Sequence, residues 1–572
     1  MKRLMTAALA CLTTCAAHAA VTISSGATAN MNCAAGVCMP TAKKAVLNTS
    51  DLETMLAQGD VTVTTGNGAV TITLTAPLAW ASMSRLTLDA AQNVSFQSVL
   101  TVQGSGALTI LTDTGGTGGD LIFFPGGHAD FWDLSSSLIV EGKSYTLVGD
   151  IDTLAGDAHA DLNGNFALAA DFDSSGESYR HSPMPPVFQG KFEGLGHTIS
   201  NFRMRAPATG GRADFALFQQ NAGVIRDLVM TGADVDARCQ SELIAVLASY
   251  NTNQILNVRI AGKVQGGASS FAEQMGVALI AAYNYGTIAN AAASGSATAC
   301  GTDIYAGGIT GLNDGLIKMS SSSARVKGGV DIGGLAGANV GTISQSFATG
   351  AVVGILPVNA SSSPAPGGLV GVNQGTINRS WASGAVTGSE GTASFPVIAG
   401  GLVGSGIGTI TRSFATGSVH VGSFSAAGGL IGASAGTIED AYATGAVMGG
   451  SDRSAVGGLI GLIEDPATVI ASYSTGAVSV GARGVQTSGL GGFLGLDQSD
   501  SRVLKDDIWD TDTSGVTDPH DGAGNVTDDP GITGLSSAQL GAGLPPGFHT
   551  GTWGQRSNIN NGLPYLLANP PQ

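Results

Sequence analysis

One unit of twenty residues recurs along this chain, and no other feature constrains its fold as strongly. Residues 333–352 read GGLAGANVGTISQSFATGAV, 367–386 read GGLVGVNQGTINRSWASGAV, 400–419 read GGLVGSGIGTITRSFATGSV and 428–447 read GGLIGASAGTIEDAYATGAV. A fifth copy begins at Gly457 and carries a two-residue insertion near Glu464 and Asp465. Weaker copies begin near Phe215, Ala245, Ala278 and Gly307, and a last fragment begins at Gly491. Most starts lie 26 to 34 residues apart, with the variation after the Gly-x-Val end of each copy. A unit this short cannot bury a core alone, so copies must stack and share one.

Stacking in register creates columns of like side chains. Leu335, Leu369, Leu402, Leu430 and Leu459 form one, and Ile343, Ile377, Ile410, Ile438 and Val469 a second. Phe347, Trp381, Phe414, Tyr442 and Tyr473 form an aromatic ladder, and Val352, Val386, Val419, Val447 and Val478 a fourth column. The recurring glycines are expected at sharp bends, often with positive φ. A parallel β-helix satisfies this pattern. A propeller fits less well, because each blade takes about 40 residues and four strands.

Upstream, strict alternation at Val61–Thr64, Val70–Leu74, Arg85–Leu88 and Ala107–Ile110 reads as half-buried strands. Residues 45–60 hold the one clear helix, with Ser50 as cap, Glu53 completing a capping box, Leu52, Met55 and Leu56 on one face, and Gly59 as stop. Such a helix can cover an open solenoid end, which would otherwise template aggregation. The expected fold is all-β: a right-handed parallel β-helix (solenoid) with a short N-terminal capping helix and an irregular C-terminal segment. The expected divisions are a leader at 1–19, an N-terminal segment and cap at 20–60, first coils at 61–150, a lead-in at 151–214, the repeat array at 215–500 and a closing segment at 501–572.

The leader has the form of a secretory signal peptide. Lys2 and Arg3 precede an apolar stretch from Leu4 to Ala16, and Ala17-His18-Ala19 supplies small residues at the cleavage positions. No later stretch reaches the length of a membrane-spanning helix. The net charge is −17, and losing Lys2 and Arg3 makes it more negative still. That argues against nucleic acid as a partner, because no basic stripe exists to neutralise phosphate. Glycine is very frequent, at 86 residues, but 43% of the chain is apolar, which excludes a disordered low-complexity chain. Cys33 and Cys38 could close a small loop in an oxidising compartment. Cys239 and Cys300 sit two repeats apart, roughly 10 Å in a stack, which is beyond disulfide reach. Both are expected to be free unless a loop folds over.

The unit G-G-[LI]-[VI]-G-x-x-x-G-T-I-x-x-[SA]-[FWY]-A-[TS]-G-x-V resembles the GLUG repeat of bacterial secreted and surface proteins, strongly over 333–447 and in degenerate form over about 215–500. Leu162–Phe166, Asp171–Asp173 and Phe192–Ile199 resemble the lead-in segment of the same proteins, and Asn560–Leu566 their closing segment. Residues 61–150 are similar to the β-helix of filamentous haemagglutinins. The resemblance implies a right-handed β-helix displayed on or shed from the cell, adhesin-like in role.

Catalytic signatures are sparse. No histidine is followed by glutamate, so the paired-histidine metalloprotease motif is missing. Gly432–Gly436 has the form of a nucleophile elbow, but sister repeats lack the serine. Asp214 and Asp440 stand as the candidate acids for a carbohydrate-active enzyme. Arg379 and Arg412 occupy equivalent positions and read as solvated arginines on the outer face. Asp510, Asp512, Ser514, Asp518 and Asp521 place oxygens at EF-hand-like spacing around Gly515, which makes them candidates for calcium, and Asp171 to Gly176 repeats the opening of that pattern. The function expected is a secreted, extracellular or outer-surface adhesin-like structural and binding protein without catalysis. Its partners would be glycans or proteins of host or neighbouring cells, with self-association possible. An extracellular polysaccharide lyase or hydrolase is the alternative.

Overall fold

A computed structural model describes residues 19–66, 68–207, 214–239, 243–267, 275–301, 303–357, 360–481 and 489–571. Except for Ala19, the proposed leader 1–19 lies outside them. The chain forms two compact units. The first comprises residues 1–157, 164–172 and 191–198, and the second residues 158–163, 173–190 and 199–572. Regular structure is nearly all β, with parallel strands stacked as the coils of a β-solenoid. No helix among the described residues is long and apolar enough to cross a membrane.

Three parallel ladders build the first unit. One runs through Val61–Thr64, Arg85–Asp89, Ala107–Leu111 and Ser137–Val140, with Val61, Leu86, Leu108 and Leu138 in register. A second contains five strands, including Ala20–Ser24 and Thr71–Leu74, and a third joins Leu78–Trp80, Val99–Val102 and His128–Phe131. Alternating burial sends every second side chain inward, the consequence of the period of two in a strand.

The helix forms over Thr49–Leu56, but Asn48, not Ser50, caps it: its side chain accepts from Ser50 N and Asp51 N. Asn48 ends a strand and already has the extended backbone a cap needs. Glu53 closes no capping box. It accepts from Ala79 N at 3.0 Å, while buried Leu52 and Leu56 anchor the helix. Ala79 lies in the outermost strand of the third ladder, so the helix satisfies an edge donor there. A second long helix, not anticipated, spans Ile151–Ala160, with Ile151, Leu154, Ala155 and Ala158 buried. Cys33 and Cys38 face each other across an antiparallel hairpin and are disulfide-bonded, with Cα atoms 4.0 Å apart.

In the second unit, ten strands from Phe218–Asn221 to Leu494–Asp497 form one parallel ladder. The Leu, Ile and Val columns lie inside, fully buried or nearly so, and pair in register from coil to coil. Leu335, Leu369, Leu402 and Leu430 each also donate their N–H to the Leu carbonyl one coil on, as at Leu369 to Leu402, 2.8 Å, and Leu459 donates to Phe493 O.

Three findings depart from the sequence expectations. First, although Gly232 and Gly295 of the weaker copies adopt positive φ, the glycines of the strong copies over 333–478 do not. Their role is close approach: a Cβ on Gly367 would collide with the Val370 carbonyl, and one on Gly375 with that of Gly341. The left-handed corner falls instead on Gln345 (φ 50°), Arg379 (50°), Arg412 (48°), Asp440 (54°) and Ala471 (51°). Second, the aromatic ladder is not an interior row. The inward positions beside it are Ala348, Ala382, Ala415, Ala443 and Ser474, and the rings stack outside the coil wall at centroid separations of 4.5, 5.8, 4.7 and 5.0 Å.

Third, Cys239 and Cys300 are disulfide-bonded, with Cα atoms 5.6 Å apart. The expectation of free thiols assumed straight columns. Arg238 and Cys239 both take left-handed φ and turn the chain out of its ladder, and Cys300 N donates to Gly266 O of the coil between at 2.9 Å.

A buried asparagine ladder accompanies the apolar columns. Asn221, Asn251, Asn284, Asn313, Asn339 and Asn373 each pass one amide hydrogen bond to the next, Nδ2 to Oδ1, at 2.7–2.8 Å. An amide donates and accepts at once, so identical residues satisfy one another without charge. The ladder stops at Gly406, which occupies the asparagine register in the next coil.

Candidate functional site

Of the residues proposed for calcium, Asp510, Asp512, Asp518 and Asp521 are not in a described group whose ligand atoms come together. Asp510 is buried, its Oδ1 accepts from Asp512 N, and its Oδ2 accepts from Ser537 Oγ at 2.6 Å. Asp512 accepts from Ser537 N, and Ser514 is hydrogen-bonded to Val516. Asp518 accepts from His520 N, and Asp521 is exposed. Asp510 and Asp512 thus brace the turn that receives the short helix Ser537–Leu540. Asp440 accepts from Trp553 Nε1 at 2.7 Å and lies 4.0 Å from Arg412 Nε, a structural role. Arg379 and Arg412 are both half-buried at their corners.

Among the described residues, one group of three or more His, Cys, Asp or Glu side chains brings its ligand atoms together: His128, Asp130 and His197, all within 4.8 Å of one another. It lies within the first unit. His128 and Asp130 are two apart on the strand His128–Phe131, so both point outward while Ala129 and Phe131 point in. His197 comes from the segment 191–198, whose Leu195 carbonyl accepts from Ala129 N at 3.2 Å. Glycine precedes each histidine. A Cβ on Gly196 would meet the Gly127 carbonyl, and Leu195 and Gly196 both take left-handed φ, 52° and 81°. This close approach puts the two imidazoles 5.1 Å apart.

His197 is completely buried. Its Nε2 lies 2.9 Å from Ala129 O, and its Nδ1 is buried without a hydrogen-bond partner. Nδ1 is 3.4 Å from Asp171 Oδ1 and 3.9 Å from Asp130 Oδ1, near both but aligned with neither. Asp171 also accepts from Thr198 N at 2.8 Å. Asp130 raises the His128 imidazole above its ordinary value. The sequence reading missed this group, because it tested histidines only for a local paired motif. The visible signal was the recurrence of Gly-His at 127–128 and 196–197. Asp171, assigned to a calcium-like run, belongs here instead, while Asp173 caps the turn Ser174–Gly176.

The fold and its side chains define a parallel β-solenoid repeat protein with a small histidine–aspartate cluster. No protein-family model matches the chain, and no curated protein matches it either. Among solved structures, it is similar to a protein from Bacteroides ovatus described as a "putative immunoglobulin A1 protease", at 16% identity and a TM-score of 0.27, over 74% of this chain and 93% of that one. At so low a score the likeness bears on no question of function.

Proposed function

We propose that this chain is a GLUG-type repeat protein of the cell exterior, an adhesin-like scaffold that binds by an extended face and performs no catalysis. One observation carries the reading. Thr342, Thr376, Thr409, Thr437 and Thr468 stand in register on the outside of the wall, beside the inward Ile column. Neighbouring coils are about 4.8 Å apart, so this face presents hydroxyls at a fixed repeat, suited to a glycan or an extended peptide with periodic polar groups. Two disulfides are the chemistry of an oxidising compartment and support export.

The test is binding of the purified mature chain to glycan and matrix-protein arrays, with Thr376→Lys and Thr409→Lys as face variants. These half-exposed positions should tolerate lysine, so an unchanged melting temperature with at least a tenfold loss of binding is the expected result. Absence of binding across the panel argues against the scaffold reading. Release of new reducing or unsaturated ends from polysaccharides supports the enzyme alternative instead. Light scattering at high concentration reports self-association.

A further inference from the structure

We propose that His128, Asp130 and His197 form a binding site for a divalent transition-metal ion of the zinc class. The argument starts with the buried ring. A carbonyl oxygen can only accept, so the 2.9 Å bond to Ala129 O places a proton on His197 Nε2. In the neutral imidazole, Nδ1 then carries a lone pair. That atom is fully buried, has no hydrogen-bond partner, and faces carboxylate oxygens of Asp130 and Asp171. A lone pair turned toward two anionic oxygens is a repulsive arrangement, and a cation among them reverses its sign.

The spacing agrees. His128 Nε2 to Asp130 Oδ1 is 3.5 Å, and His197 Nδ1 to Asp130 Oδ1 is 3.9 Å. Zinc–nitrogen and zinc–oxygen bonds of about 2.0–2.1 Å set a tetrahedral edge of about 3.4 Å. Charge-assisted hydrogen bonds are shorter, about 2.7–2.9 Å. These two separations are near that edge, and the ligand atoms of all three residues lie within 4.8 Å of one another. Two ligands of one such ion stand at most about 4.2 Å apart, so binding draws His128 and Asp130, which stand on the half-exposed outer face, inward toward His197.

The surroundings also suit a metal. A ligating histidine characteristically donates its second N–H to a carbonyl or carboxylate, which fixes the ring, and Ala129 O does this for His197. Two imidazoles and one carboxylate favour zinc, copper or nickel over calcium and magnesium, which prefer all-oxygen cages. Three protein ligands leave one position for water or an outside donor. Asp171, fixed by Thr198 N, lies 3.4 Å from the same His197 Nδ1. The site owes nothing to the adhesin reading and stands or falls separately.

The experiment uses the full mature chain, free of purification tags and dialysed against chelator. Calorimetric titration with zinc chloride should give one ion per chain with micromolar or tighter affinity, and a raised melting temperature that chelator reverses. Calcium should do neither. Cobalt(II) should give visible absorption of tetrahedral intensity. His128→Ala and Asp130→Asn, both half-exposed and able to fold, should each weaken zinc at least tenfold, whereas His520→Ala should leave it unchanged. His197→Gln should abolish binding if the variant folds. No binding at millimolar zinc overturns the proposal. Binding left intact by both His128→Ala and Asp130→Asn overturns it as well, by placing the metal elsewhere.

Discussion

The coils from Asn221 to Asn373 and those from Phe347 to Tyr473 share one backbone but are joined by different means. The earlier coils carry a line of buried amides, each bonded to the next. The later ones carry a stack of rings outside the wall, and the closing segment folds over it. Tyr473 donates to Pro564 O at 2.7 Å, Trp553 Nε1 donates to Asp440, and Phe548, Leu540 and Leu566 pack against the stack. The two devices overlap only in the coils of Asn339 and Asn373. The contrast teaches that coil register can be held by directional polar bonds inside or by apolar surface outside, and that the second needs a cover. Bare, the rings would form an exposed apolar strip, a docking or aggregation hazard.

The comparison can be broken most severely at Tyr473. Tyr473→Ala removes a fully buried ring that touches both stack and cover, and should cost about 3–5 kcal/mol. Urea unfolding measures that loss, and limited proteolysis should cut first after residue 501. In the amide-bonded coils, Asn313→Ala strands a donor on Asn284 and an acceptor on Asn339 and should cost about 2–4 kcal/mol, with no gain in proteolysis of the closing segment. Equal sensitivity of that segment in both variants would show the devices to be one.

Smaller effects sharpen the division of labour between glycine and corner. Gly375→Ala forces a Cβ onto a neighbouring carbonyl and should destabilise by about 1–3 kcal/mol. Arg379→Gly relieves a left-handed φ at a non-glycine residue and should stabilise by less than about 1 kcal/mol. Opposite signs for two sites four residues apart would be seen in paired thermal melts. An effect of similar size is expected on pH dependence. Burial, aided by the charge of Asp303, pushes Asp331 up to about 7 from 3.8. The folded state then holds this proton more tightly than the unfolded chain does. Its contribution is full below about pH 4 and declines as pH rises toward 7. Asp331→Asn should flatten that decline, with a gain on the order of 1 kcal/mol at pH 8, because the residue keeps some exposure to water.

Much of the fold was legible in particular residues. Leu369, Ile377 and Val386 announce inward columns because apolar side chains at fixed positions of a repeat have only the interior to share. The helix Ile151–Ala160 was legible too, through Asp150 followed by apolar residues at 151, 154, 155 and 158, yet the surrounding β pattern obscured it. The asparagine ladder was visible as a recurring residue, but not as a buried one, since a lone asparagine reads as a turn. The histidine cluster was the least legible. His128 and His197 are far apart in sequence, and their meeting depends on Leu195 bonding to Ala129 across the end of a ladder.

By itself, the sequence determined that like residues would pile up coil on coil, because no single copy has enough apolar surface to fold. Only the tertiary structure decided which column faces out, that the closing segment covers the rings, that Cys239 reaches Cys300, and that two distant Gly-His pairs converge. Those outcomes depend on where corners turn and which segments return to the wall. Backbone sterics and long-range contact set them, and no local pattern of residues encodes either.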